Sequence, residues 1–357
     1  MASTRGSDEG IRFLVIAATL VIIIEGLNQA QSILVSVLVA IFFAMLGTPP
    51  VLWLERKRIP TAVAVLLVVA GMIAILLMVG TIVGASINSF YSALPVYQAR
   101  LQEQIAVLQS FLATKGIRGT DKILLGIFNP AAVMGLTASL FAGLGSALSN
   151  IILILLTVTF ILLEASSFPD KLRAILGHPH QLFPQFTTFI GDMERYMVIK
   201  TIISLITGFF VGMWLYILGV EFPVLWGFLA FLLNYVPNIG SMVAAVPGVL
   251  LALIQLGMST ALLATAGYMV VNFILGNIIE TKIMGKRLGL STLVVFLSLI
   301  FWGGLLGPVG MVLCIPLTMT LKFACENSRD TRWIGLLLGP EEPANDPSPA
   351  STEGEEG

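Results

Sequence analysis

Asn234-Tyr235-Val236-Pro237-Asn238-Ile239-Gly240 breaks an apolar stretch that runs from Phe222 to Leu256. Gly303-Gly304-Leu305-Leu306-Gly307-Pro308-Val309-Gly310 breaks a second, from Leu290 to Lys322. Proline and glycine in mid-stretch open backbone N–H and C=O groups, and in lipid each unsatisfied group costs several kcal/mol. Such backbone persists at membrane depth only where protein packs it or water wets it. Two broken stretches in one chain therefore point to a transport site. Hinges are expected at Pro237, Gly240 and Pro247 in the first stretch, and at Gly307, Pro308, Gly310 and Pro316 in the second.

Composition agrees with a membrane setting. The chain is 57% hydrophobic and 11% charged, with a mean hydropathy of +0.96. Soluble domains carry about 25% charged residues. Apolar windows near twenty residues recur along almost the whole length, the span a bilayer requires. The fold class read from this is all-α: a polytopic transmembrane protein of about seven or eight helices, two of the elements being broken, re-entrant or tightly bent hairpins. Ile11–Leu27 lacks a small-residue cleavage site and is followed by Gln29–Leu54, so the two read as an uncleaved helical hairpin. A net charge of −1 argues against a nucleic-acid partner. Cys314 and Cys325 offer neither a disulfide framework nor zinc spacing and read as packing residues.

Charge sets the orientation. Of the 19 Lys and Arg residues, all but Arg100, Lys115, Arg118 and Lys122 fall into short clusters. These are Arg5/Arg12, Arg56-Lys57-Arg58, Lys171/Arg173/Arg195/Lys200, Lys282/Lys286/Arg287 and Lys322/Arg329/Arg332. The positive-inside rule assigns the clusters to the cytoplasm and the segment Asn88–Gly135 to the outside. Single crossings at Ile11–Leu27, Gln29–Leu54, Thr61–Ala85, Leu140–Glu164, Thr201–Leu218 and Thr260–Ile279 satisfy that assignment if each broken stretch enters and leaves on one side. Their halves, about fifteen residues each, are short for a crossing of roughly twenty. The stretches share a faint pattern, Pro237-x-x-Gly240-x-Met242-Val243-x-x-x-Pro247 against Pro308-x-Gly310-Met311-Val312-x-x-x-Pro316. Opposite entry with weak similarity is what an inverted repeat leaves.

The resulting organisation is a disordered cytoplasmic tail (1–10), N-terminal scaffold helices (11–87), an extracytoplasmic amphipathic segment (88–139) and a transmembrane helix (140–165). A cytoplasmic amphipathic segment (166–199) precedes the transport core (200–325), which holds the broken hairpins 222–256 and 290–322; a disordered acidic tail (340–357) closes the chain. In the outer segment Leu101, Ile105, Leu108 and Leu112 recur at helical spacing, as do Phe183, Phe186, Ile190, Met193 and Met197 in the cytoplasmic one. The second stripe reads as a helix covering the core.

No enzyme signature is present, and no cofactor or metal is implied. His178 and His180 sit in a Gly-His-Pro-His turn, a poor metal site with no supporting ligand. Walker, HExxH and GxSxG patterns do not occur, which speaks against an ATP-driven pump or an intramembrane protease. Polar residues at membrane depth carry the interest. Asn234, Asn238, Asn272 and Asn277 could together bind a polar solute, since each amide offers donors and acceptors, or could cap the broken helices. Glu280 reads either as a site for a coupling proton or cation, or as an interfacial partner of Lys282 or Arg287. With Lys286, these residues form the candidate coupling or gating group. The pairs Gly80/Gly84 and Gly208/Gly212 suggest close helix contacts within or between subunits.

The same residues resemble a known family. Asn234-Tyr-Val-Pro-Asn-Ile-Gly-Ser-Met-Val-Ala-Ala-Val-Pro247 is similar to the signature loop of the autoinducer-2 exporter family of bacterial membrane proteins. So are Gly276-Asn-Ile-Ile-Glu-Thr-Lys-Ile-Met-Gly-Lys-Arg-Leu-Gly-Leu-Ser291 and Gly307-Pro-Val-Gly-Met-Val-Leu-Cys-Ile-Pro316. Upstream, Leu54-Glu-Arg-Lys-Arg-Ile-Pro60 and Arg195-Tyr-Met-Val-Ile-Lys-Thr-Ile-Ile-Ser-Leu-Ile-Thr-Gly208 fit as well, and the Asn238-Ile-Gly-Ser241 and Lys200-Thr201 variants resemble the quorum-signal exporter branch. The resemblance departs at Thr281, where the family often has proline, and after Trp302, where a second tryptophan is usual. It implies a multi-pass inner-membrane secondary transporter with cytoplasmic termini and a homo-oligomeric assembly, a pentamer being one form. The implied cargo is a small hydroxylated signal, autoinducer-2; other members resemble sodium(lithium)/proton antiporters, so a proton or sodium partner is implied too. A non-transporting membrane scaffold is a further alternative.

Overall fold

The computed structural model describes residues 15, 18, 19, 21–114, 150–165, 182–237, 239–284, 289–328 and 330–339. Expectations for Asn238, Lys286, Arg287, His178, His180 and residues 1–10, 115–149 and 340–357 lie outside the described residues. The described residues are all-helical. Helix α1 spans Gln31–Arg56, α2 Thr61–Thr114, α3 Ile151–Ala165 and α4 Leu182–Ile217. The first broken stretch forms α5 (Pro223–Leu233) and α6 (Gly240–Leu256); α7 (Met258–Asn272) then passes into a π-helix at Phe273–Glu280 and a last α-helical turn, α8 (Thr281–Met284). The second broken stretch forms α9 (Thr292–Val312) and α10 (Cys314–Glu326), and a short α11 (Arg332–Leu338) follows.

Several elements run longer than the sequence alone suggests. Predicted boundaries near residues 87 and 199 are crossed by unbroken helix: α2 continues for 54 residues through Pro95, and α4 for 36 residues. Among the described residues, Gln31–Arg56, Thr61–Ala93, Gln185–Ile217, Met258–Ile283 and Thr292–Val312 are long and apolar enough to cross a membrane. Length misleads for the last of these, because α9 is not straight.

Its turn lies at Gly307, with φ 66° and ψ −150°, a backbone conformation inside α9 that is not helical and that belongs to glycine alone. Pro308 follows and cannot donate to the preceding turn. The chain then doubles back. A Cβ on Gly310 would stand 2.0 Å from the carbonyl oxygen of Trp302, although in a straight helix residues eight apart are separated by about 12 Å. Further along the arms, Trp302 Nε1 donates to Thr318 Oγ1 at 3.0 Å. At the base, Lys322 Nζ donates to the Gly289 carbonyl at 2.6 Å.

The first stretch folds the same way. A Cβ on Gly240 would lie 1.8 Å from the Leu233 carbonyl oxygen, so only glycine admits that approach. The base closes where the Glu221 N–H donates to Gln255 Oε1 at 3.1 Å. Gln255 Nε2 donates to Tyr97 Oη at 3.2 Å, and the Tyr97 hydroxyl donates to the Glu221 carboxylate. Both broken stretches are hairpins that begin and end at one level. Pro247 lies inside α6 and Pro316 in the first turn of α10. Neither interrupts its helix: Pro316, in a first turn, forfeits only an N–H the helix does not use, and α6 runs on through Pro247 with one hydrogen bond fewer.

Helix α4 is the frame for both hairpins. Its C-terminal end leads directly into the base of the first hairpin at Glu221. Near its N-terminal end, Phe189 stacks on Phe323 at the base of the second, with ring centroids 4.4 Å apart. Residues 189 and 217 are separated by about 42 Å of helix, close to the roughly 40–45 Å of a bilayer with its headgroups. The hairpins thus enter from opposite ends. Their tips meet inside: Val236 shares one buried cluster with Leu305, Leu306 and Val309.

The packing along α4 explains its residues. Met193 and Met197, from the expected amphipathic stripe, are buried in that cluster. Gly208 and Gly227 bring α4 and α5 so close that a Cβ on either would meet the other's carbonyl oxygen at 2.6 Å. Gly80 and Gly84, by contrast, have open space at their Cβ positions. Cys314 and Cys325 are buried and unpaired.

Candidate functional site

Among the residues that α4 turns inward are Lys200, Ser204, Thr207 and Val211, spaced at i, i+4, i+7 and i+11 and all buried. An apolar span that keeps a lysine on its buried face must neutralise it, because an unpaired charge there is heavily penalised. The neutralising group is Glu280: Lys200 Nζ stands 2.6 Å from Glu280 Oε1, with side-chain exposures of 6% and 19%. The sequence suggested Lys282 or Arg287 as the partner and grouped Lys200 with cytoplasmic charges. Lys282 instead is exposed, and Arg287 lies outside the described residues. The reason is geometric. Glu280 closes the π-helix, whose wider turn shifts the phase of the residues after it, and the carboxylate points across to α4.

The pair lies well inside the frame set by the hairpin bases. Lys200 is about 5 Å along the helix from the midpoint between residues 189 and 217. Tyr196, one turn before it, is buried.

One turn beyond, α4 meets the tip of the first hairpin. Asn234 Nδ2 donates to Ser204 Oγ at 3.0 Å. The Tyr235 hydroxyl donates to Thr201 Oγ1 at 2.7 Å, and Thr201 in turn donates to the Met197 carbonyl. Phe42 and Phe231 pack edge-on against Tyr235. The Asn234 amide therefore bonds across to a neighbouring helix rather than capping its own. The other asparagines do not gather there: Asn277 is exposed on the π-helix and Asn272 is half-buried at its start.

Thr201, Ser204 and Tyr235 join this candidate site through those hydrogen bonds, and single-residue reading misses them. The available signal was the stripe Lys200, Thr201, Ser204 and Thr207 on one side of an apolar helix. Toward the N-terminal end of α4 a cleft of about 500 Å³ opens, lined by Pro49, Glu194, Arg195, Ile199 and Ile283 among others. Ile199 adjoins Lys200, and Ile283 lies one turn beyond Glu280.

A family model described as AI-2E family transporter matches residues 13–330. The chain belongs to that family. Within it, the chain is 39% identical over 329 residues to the AI-2 transport protein TqsA of Escherichia coli (strain K12), covering 92% of this chain and 96% of that one. It is 37% identical over 343 residues to the putative transport protein YhhT of the same strain, covering 96% and 98%. A putative transport protein of Haemophilus influenzae is 34% identical over 92% of this chain and 96% of its own length. Membership of the AI-2E transporters and the apolar helices make this a multi-pass, helical membrane protein of transport type.

Proposed function

We propose that the chain is a secondary-active exporter of a small, polar, uncharged signal of the autoinducer-2 kind. It works by alternating access in the bacterial inner membrane, with both termini cytoplasmic. The observation that carries this is the buried ion pair of Lys200 and Glu280, 2.6 Å apart, beside the hairpin tips. Burying such a pair costs desolvation that attraction barely offsets, so stability alone is a poor reason to keep it and function a good one. A proton taken up by Glu280 dissolves the pair and leaves Lys200 charged and alone, which favours whichever arrangement hydrates it. That difference is the coupling free energy a transporter needs, and it is reciprocal: solute binding must shift the proton affinity of Glu280 equally.

The solute would meet Asn234, Ser204, Thr201 and Tyr235, whose amide and hydroxyl groups suit a hydroxylated ligand. The cleft beside Glu194 and Arg195 serves as its cytoplasmic entrance, offering a carboxylate acceptor and guanidinium donors. The name of the relative TqsA, an AI-2 transport protein, supports this cargo. The reading includes a homo-oligomeric assembly, for which Gly80 and Gly84 leave α2 open to close helix contact.

A second reading rests on the same pair: a sodium(lithium)/proton antiporter in which Glu280 exchanges the two cations. Proteoliposomes holding only this chain separate them, with autoinducer-2, sodium and protons varied independently. Export predicts autoinducer-2 counterflow that responds to a proton gradient without sodium. Antiport predicts sodium movement with no organic solute present, and vesicles that move neither would reject both.

A further inference from the structure

We infer that α11 is a bilayer-surface helix that seats in the leaflet at the N-terminal end of α4 and binds anionic phospholipid there. Three of its seven residues, Trp333, Leu336 and Leu337, are 61%, 64% and 69% exposed. At i, i+3 and i+4 they share one face. The opposite side is held to the protein: a Cβ on Gly335 would meet the Glu326 backbone nitrogen at 3.1 Å, and the Ser291 N–H donates to the Leu338 carbonyl at 3.2 Å. An apolar face turned away from the protein needs an occupant, and its position names one.

The helix lies at the base of the second hairpin, the level that the stacked Phe189 and Phe323 assign to one end of the membrane frame. Just past Ser291, Leu293 on α9 is 66% exposed and begins that arm's outward apolar surface. The α11 face therefore continues the lipid-facing surface at its edge. Tryptophan and leucine on one side with a cation alongside is the composition of an interfacial helix, and Arg332, exposed at the head of α11, supplies the cation. The end of α1 repeats the arrangement at the same end of the molecule: Trp53 is 55% exposed, with Lys57 Nζ 3.6 Å from its ring centroid. Tryptophans at headgroup level with basic neighbours fit a negatively charged leaflet. This inference holds whatever the transporter carries.

A nitroxide attached to L336C in the full chain tests it, the buried Cys314 and Cys325 staying in place. The label's collisions with oxygen and with a water-soluble nickel chelate are compared in phosphatidylcholine bilayers with and without phosphatidylglycerol. An oxygen-to-nickel ratio several-fold above that of a label in water is expected. Arg332→Gln should lower the ratio only when phosphatidylglycerol is present. Free nickel access would place α11 in water, and protection from both quenchers would mean that a second copy of the chain covers it. Either result overturns the inference, as does an Arg332→Gln effect indifferent to lipid charge; L337C repeats the measurement one residue on.

Discussion

Removing one partner of the Lys200–Glu280 pair leaves the other charge buried and uncompensated, and such losses cost about 3–5 kcal/mol. Replacing both with apolar side chains of similar volume removes the penalty with the pair, and in other proteins such replacements are neutral or stabilising. Lys200→Met alone should therefore lower the thermal unfolding temperature in detergent far more than Lys200→Met combined with Glu280→Met. Equal losses in the two variants would mean that the side chains matter for packing and not as a charge pair. Glu280 is legible in the sequence because a carboxylate in an apolar span is conspicuous. Lys200 is not, because a lysine five residues after Arg195 resembles the tail of a cytoplasmic charge cluster. Only the crossing of α4 by the π-helix shows which cation faces the carboxylate.

At the scale of elements, two backbone turns decide the architecture, and glycine permits both. Gly240→Ala and Gly310→Ala would drive a methyl against backbone oxygens at 1.8 and 2.0 Å. Each should cost on the order of 3 kcal/mol, the upper end for overpacking, and reduce the yield of folded protein. Gly304→Ala, in the arm before the Gly307 turn and with nothing within 4 Å of its Cβ, should fold normally, within about 0.5 kcal/mol of the parent. A size-exclusion profile and melting curve for the three variants check this contrast. The turns are legible in the sequence because proline and glycine together punctuate an apolar run where the backbone bends. Helix lengths are not: residues 182–217 change from amphipathic to apolar composition, yet nothing there stops the backbone from continuing as helix. Pro247 misleads for the converse reason, since a helix packed on its neighbours absorbs one missing hydrogen bond.

For the whole molecule, the hairpins' opposed entry is fixed by contacts made far from the pair. At one end the first hairpin's base is tied to α2 through Tyr97, Glu221 and Gln255. Burial, and then the Glu221 carboxylate beside it, push the Tyr97 phenol well above its ordinary pKa, so it remains a donor throughout the physiological range. Tyr97→Phe removes a hydrogen bond to a charged group, worth about 1.5–3 kcal/mol. Faster amide exchange is expected in residues 221–226 and 253–257, with the second hairpin unchanged; uniform exchange across both would show that Tyr97 does not tie this base specifically. The central claim, that proton binding at Glu280 is coupled to solute movement, is tested most directly with Glu280→Gln in proteoliposomes at matched incorporation. This variant should still exchange autoinducer-2 across the membrane by counterflow but no longer accumulate it when a proton gradient is imposed. Gradient-driven accumulation at the parent's rate in Glu280→Gln would contradict the claim.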